Sequence, residues 1–173
     1  MTDAPHSLAD WLTHIERQHP ASIDMGLERV STVAGAMGLG APARRTITVG
    51  GTNGKGSTVA FIESIARSAG WTVGTYTSPH LLRYNERVRI NGAEVEDADW
   101  VQAFAAVEAA RGSTTLTYFE YGTLAALKLL GEAGLDLAVL EVGLGGRLDA
   151  VNIIDADVAV ITTVDIDHAE WLG

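Results

Sequence analysis

The chain has 173 residues, 47% hydrophobic and 20% charged, which suits one globular domain with a real core and excludes a disordered chain. A net charge of −10 argues against a nucleic-acid partner, which needs a basic face, but leaves small anionic ligands open. There is no cysteine for disulfides or thiolate metal sites, and no apolar run of membrane-span or signal-peptide length, so a soluble cytoplasmic protein is expected.

Ser7-Leu8-Ala9-Asp10 resembles a capping box, and Leu8, Trp11, Leu12 and Ile15 follow at helical spacing, predicting a helix that ends at Pro20. Leu27, Val30, Val33, Ala34 and Met37 mark a second amphipathic helix, stopped by Gly38 and Gly40. Thr46 to Val49 reads as a buried strand. Gly50, Gly51, Gly54 and Gly56 then let the backbone turn tightly and approach a ligand, and a helix is expected from Ser57 to Ser68. Strand, glycine-rich loop with one lysine, then helix is a phosphate cradle, in which backbone N–H groups face the anion and Lys55 adds a point charge. The match to a Walker A loop is imperfect. Val49 holds the first glycine position, and Gly56 separates Lys55 from Ser57, displacing the hydroxyl that usually holds magnesium.

Trp71 to Tyr76 reads as the next strand, followed by the loop Thr77-Ser78-Pro79-His80. Arg87 to Val95 is a hairpin around Asn91-Gly92. Asp97 is expected to cap a helix carrying Trp100, Val101, Phe104 and Val107, closed by Gly112. Thr117 to Gly122 leads into another helix, Thr123 to Leu130. Leu137 to Val142 and Asp157 to Val164 are buried strands. Alternating strands and helices predict an α/β fold with a mostly parallel sheet flanked by helices, like a P-loop NTPase, in which ligands bind outside the carboxyl ends of the strands. Residues 1–45 are then a helical extension and 46–173 the P-loop core.

Those strand ends carry the chemistry. Glu141 ends an apolar strand, where a carboxylate either holds a metal or caps the following turn. Gly143-Leu144-Gly145-Gly146-Arg147-Leu148-Asp149 is a second glycine-rich loop. Asp165-Ile166-Asp167-His168 follows the last strand, and His168 is either a ligand or structural. Ser78 reads as a turn residue before Pro79. Lys55, Arg83, Arg87, Arg89 and Arg147 gather near the glycine-rich segments in sequence, although a solvated surface explains each singly.

Gly51-Thr52-Asn53-Gly54-Lys55-Gly56-Ser57 resembles the P-loop of the Mur ligase superfamily. Further stretches are similar to its bacterial dihydrofolate synthase/folylpolyglutamate synthase family: Ile23 to Val30, Thr77 to Leu81, Tyr84 to Val88, Thr117 to Thr123, Leu140 to Asp149 and Asp167 to Gly173. The resemblance implies an ATP-dependent amide ligase. ATP phosphorylates the carboxylate of dihydropteroate or of a folate glutamate tail, and the amine of L-glutamate attacks the acyl phosphate. It implies ATP binding by Thr52, Asn53, Gly54, Lys55, Gly56 and Ser57, and catalytic work by Lys55, Glu141 and His168. Ser78 and Glu141 match the ligands of a first Mg2+, and Glu141 and His168 those of a second. Ser22, Ile23, Asp24, Met25, Thr117, Tyr118, Phe119, Glu120, Leu148, Asp149 and Ala150 match the pteroate-lining segments. Phe119 offers a flat face to the pterin and Asp149 an acceptor for its ring nitrogens; without the resemblance Phe119 reads as a core aromatic. A monofunctional folylpolyglutamate synthase and a non-catalytic nucleotide-binding module are the alternatives.

Members of the family continue past Trp171-Leu172-Gly173 into more of the ATPase domain, where a carbamylated lysine completes the second metal site. A Rossmann-like C-terminal domain then closes over the nucleotide. The resemblance therefore implies a truncated Mur-ligase central domain, without the C-terminal domain and without ligase activity by itself, and a monomer when full-length. Asp165 departs from the uncharged residue expected beside this metal-binding segment.

Overall fold

The computed structural model describes residues 5–18 and 26–165. Its first helix, α1 (Leu8–Ile15), starts on the expected capping box. Ser7 Oγ accepts the Asp10 N–H at 3.2 Å, and Asp10 accepts the Ser7 N–H at 3.1 Å. Four residues separate its last residue from Pro20, so proline is not what ends it. Helix α2 (Glu28–Met37) ends on Gly38 at φ 66, where a side chain would be strained. The phosphate-loop unit is β1 (Arg45–Gly50), the loop, and α3 (Lys55–Ser68), which starts two residues before the expected Ser57.

Next come β2 (Val73–Tyr76), a 3-10 turn at Tyr84–Arg87, β3 (Val88–Ile90) and β4 (Ala93–Glu94). Asn91 and Gly92 make the hairpin turn, with φ of 51 and 83, as Asn-Gly predicts. Helix α4 (Asp97–Arg111) is capped one residue earlier than expected, at Glu96, whose N–H donates to Asp99 at 3.2 Å. Helix α5 (Tyr118–Glu132) takes in the segment expected only to lead into it. Thr117 is its N-cap and Glu120 completes a capping box. Strands β5 (Leu137–Glu141) and β6 (Val158–Ile161) follow, the latter shorter than its apolar run.

The sheet order is β4-β3-β2-β5-β1-β6. Strands β2, β5, β1 and β6 are parallel, and the β3–β4 hairpin adds an antiparallel edge. This is the mostly parallel α/β sheet expected. Because side chains alternate along a strand, β5 feeds two cores. Ala138 and Leu140 face a large cluster with Trp100, Phe104, Leu124 and Leu127, joined by Trp11, Ile15, Val30 and Val33. Leu137 and Val139 face a smaller cluster with Val49, Val59 and Val73. Helices α1, α2, α4 and α5 therefore cover one face and α3 the other. The parallel register, Val49 beside Glu141, brings the phosphate loop and the carboxylate to one end of the sheet. No described helix is long and apolar enough to cross a membrane.

Candidate functional site

Gly50 leaves β1, and Gly51 takes φ 130. A Cβ at Gly51 would meet Thr162 Oγ1 at 2.2 Å and Thr163 O at 2.9 Å, so only glycine fits. Gly54, at φ 86, turns the chain into α3. The first-turn N–H groups of α3, on Lys55, Gly56 and Ser57, have no intrahelical partner and carry the positive end of the helix dipole. Lys55 Nζ donates to Gly51 O at 2.7 Å and Thr52 O at 3.2 Å, folding the ammonium over its own loop.

The residues after β6 brace this loop. The Thr52 N–H donates to Thr163 O at 2.8 Å and the Asn53 N–H to Thr163 Oγ1 at 3.0 Å. Thr162 Oγ1 donates to Asn53 O at 2.7 Å. Thr52 Oγ1 donates to Asp165 O at 3.1 Å and accepts the Asp165 N–H at 3.0 Å. Of the six residues expected to bind phosphate, Thr52 and Asn53 have their amides committed to Thr163. Among the described residues, the amides of Gly54 and of the first turn of α3 carry no such bond to the β6 end. The adjacent threonines at a strand end were the available signal for this brace, but nothing local tied them to the loop.

Glu141 ends β5 at 4% exposure. Its Oε2 accepts the Ser78 N–H at 3.0 Å. A Cβ at Gly56 would lie 3.8 and 3.9 Å from its two oxygens, so the carboxylate faces the start of α3. Burial raises its pKa, against the Ser78 N–H and the Lys55 charge. Ser78 stands two residues past the end of β2. A buried carboxylate that accepts a backbone hydrogen bond, beside a serine, offers the hard oxygen donors magnesium prefers, so the described residues fit that ion. Among the described residues no three acidic or histidine side chains cluster at metal-binding distance. His168 lies outside the described residues, as do Ser22, Ile23, Asp24 and Met25.

The other expected substrate residues fall on two segments beside β2 and β5. Phe119 stacks on Tyr76, with centroids 6.2 Å apart at 28°. Its ring presses on Gly143, where a Cβ would come within 2.5 Å of it. Phe119 is half-buried, a platform with one side already occupied. Thr117 caps α5 by accepting the Glu120 N–H at 3.2 Å. Glu120 accepts the Thr117 N–H at 2.8 Å and pairs with Arg29 of α2 at 3.0 Å, so its carboxylate is occupied internally. Tyr118 is half-buried, Leu148 exposed and Ala150 buried. Asp149 accepts the Leu144 N–H at 2.8 Å and the Val151 N–H at 3.1 Å. Burial moves its pKa up to about 6, against those donors.

The cations adjacent in sequence do not form one patch. Arg89 pairs with Glu63 of α3 at 3.8 Å, Arg83 reaches Glu94 at 4.0 Å, and Arg147 is exposed. A groove of about 600 Å³ beside Gly38, Ala106, Leu127 and Gly131 lies at the ends of α2 and α5, far from the loop in the fold.

Strand, glycine loop and helix, with a buried carboxylate ending the adjacent parallel strand, define a phosphate-loop α/β domain. The Mur ligase middle domain matches residues 49–173, and the chain belongs to the Mur ligase family. It is 56% identical over 170 residues to dihydrofolate synthase/folylpolyglutamate synthase of Escherichia coli strain K12, covering 98% of this chain and 40% of that protein. The structure of E. coli FolC in complex with DHPP and ADP superposes with a TM-score of 0.96 at 55% identity, covering 100% of this chain and 42% of that one. The bifunctional folylpolyglutamate synthase/dihydrofolate synthase of Yersinia pestis, complexed with AMPPNP and Mn ion, superposes with a TM-score of 0.93 at 53% identity, covering 99% and 42%. The chain thus spans about 40% of the length of the relatives it matches.

Proposed function

We propose that this chain is the nucleotide-binding part of an ATP-dependent ligase that adds L-glutamate to dihydropteroate and to folate glutamate tails through an acyl phosphate. The observation that carries this reading is the convergence of Lys55, the first turn of α3, and the Ser78–Glu141 pair at one end of the sheet. The bifunctional relative and the DHPP and ADP bound by E. coli FolC support the substrate class.

Each residue's part follows from its position. The first-turn amides of α3 and Lys55 would hold the terminal phosphates, the ammonium exchanging its bonds to the Gly51 and Thr52 carbonyls for bonds to the nucleotide. Phosphoryl transfer needs positioning and charge neutralisation more than covalent help. Ser78 and Glu141 would hold a magnesium ion, with His168 a further ligand. The ion would neutralise charge on the phosphates. Residues 22–25, Thr117 to Glu120 and the Leu148–Ala150 segment match the segments that line the pteroate site. Residues 1–45 act as a helical extension of the 46–173 core. The reading places the protein in the cytoplasm, monomeric when full-length, with small molecules rather than nucleic acid or membrane as partners.

Calorimetric titration of the chain with Mg-ATP and with dihydropteroate tests this. Both are expected to bind. Lys55→Ala should weaken nucleotide binding at least about tenfold, a typical loss for a charged hydrogen bond. Glu141→Gln should remove its magnesium dependence. A folded chain that binds neither ligand would sink the reading, and binding of Mg-ATP alone would reduce it to a nucleotide-binding module.

A further inference from the structure

Among the described residues, Arg87 is a buried cation without an acid. It is 7% exposed and stands where the 3-10 turn enters β3. Its Nε donates to His80 Nδ1 at 2.9 Å, an imidazole nitrogen that accepts the bond and cannot neutralise the charge. Its guanidinium carbon lies 5.0 Å from the Tyr84 ring centroid and 5.7 Å from that of Tyr118. Its charge and a hydrogen bond also reach the Tyr76 hydroxyl, a neutral partner that leaves the charge unmet. Among the described residues no carboxylate stands within ion-pair distance of it. Glu86, the nearest acid in sequence, is turned away to accept the N–H groups of Leu81, Leu82 and Arg83 at 2.7, 2.8 and 2.7 Å.

The half-buried arginines differ. Arg29 pairs with Glu120, Arg89 with Glu63 and Arg111 with Glu108. A desolvated guanidinium is costly unless an anion meets it, and aromatic faces return only part of that. Among the described residues, therefore, no anion meets the buried charge of Arg87.

Its position says where that partner comes from. The Arg87 carbonyl accepts the Thr77 N–H at 2.9 Å, one residue before Ser78, whose own N–H holds Glu141. Tyr118, under the guanidinium, is followed in α5 by Phe119, stacked on Tyr76. Arg87 thus joins the aromatic platform to the Ser78–Glu141 pair. Its planar fork fits a carboxylate through two parallel hydrogen bonds.

We propose that Arg87 is a substrate-binding residue that recognises a carboxylate, supplied by the acceptor acid or by the incoming amino acid. This rests on the function proposed above. The test titrates the chain, loaded with Mg-ATP, with dihydropteroate, with its methyl ester and with L-glutamate, beside Arg87→Met and Arg87→Lys. The unaltered chain should prefer the acid to its ester about 10- to 100-fold. Arg87→Met should erase that preference and leave Mg-ATP binding unchanged. If the preference survives and glutamate binding falls by that factor instead, the carboxylate belongs to the amino acid. Arg87→Lys keeps the charge and loses the fork, so it should retain only part of the discrimination; it decides the matter if Arg87→Met does not fold. Unchanged preference and unchanged glutamate binding in a folded variant would overturn the proposal while the ligase reading stands. Failure of the unaltered chain to bind Mg-ATP and dihydropteroate would remove both.

Discussion

Asp149 sits beneath the second glycine-rich loop, 3% exposed, and two effects oppose each other there. Burial disfavours its charge, while backbone N–H groups of Leu144, Val151 and Gly143 favour it; burial wins, and the pKa rises from 3.8 to about 6. A carboxyl raised in the fold binds its proton longer than in the unfolded chain. Its contribution to stability is therefore full below pH 3.8 and declines as pH rises toward 6, by at most about 3 kcal/mol, then levels off. Urea midpoints from pH 4 to 7.5, compared between the parent chain and Asp149→Asn, should show the parent losing ground across that window. A parent that gains relative stability with rising pH would mean the N–H donors outweigh burial. At this scale Glu141 was legible in the sequence, because a carboxylate ending an apolar strand is conspicuous. The solitude of Arg87 was not, because it depends on where every acid in the fold ends up.

Helix α5 shows how a local signal and a distant one meet in a single element. Thr117 and Glu120 form a capping box readable from four residues, yet Thr117 to Gly122 was expected only to lead into the helix. Thr-Tyr-Phe, rich in β-branched and aromatic residues, has weak intrinsic helix preference, and tertiary packing overrides it. The Glu120–Arg29 pair, 91 residues apart, was invisible in sequence. Thr117→Ala, losing the cap alone, should cost about 1 kcal/mol. Glu120→Ala, which keeps the Thr117 cap but loses the return bond from the Thr117 N–H and a largely buried ion pair, should cost about 2–3 kcal/mol. Urea unfolding of both variants checks this, and equal costs would mean the link to α2 adds nothing. The Asn91-Gly92 hairpin and the Ser7 capping box were readable for the same local reason. The bracing of the phosphate loop by Thr162 and Thr163 was not, because it joins two strand ends more than a hundred residues apart.

At the scale of the molecule, the parallel sheet gathers the functional groups at one end and leaves β6 at an edge. Strand β6 pairs with β1 and, among the described residues, with no strand on its other side. Val158 is 51% and Ile161 64% exposed there, and Phe61 and Ile65 of α3 are each 69% exposed. A free edge with apolar residues invites pairing with another chain. The net charge of −10 opposes such contact over a range set by salt, roughly 30 Å at 10 mM and 8 Å at physiological ionic strength. Salt should therefore promote association of this chain rather than dissolve it. Sedimentation at about 10 mM and about 150 mM salt should show the larger species growing with ionic strength. Val158→Lys, which puts a charge on the edge, should suppress it at both. Association that weakens as salt rises would point instead to ion pairs, and would assign the contact to the charged surface of α4 or the Arg44–Asp136 end of the sheet rather than to β6.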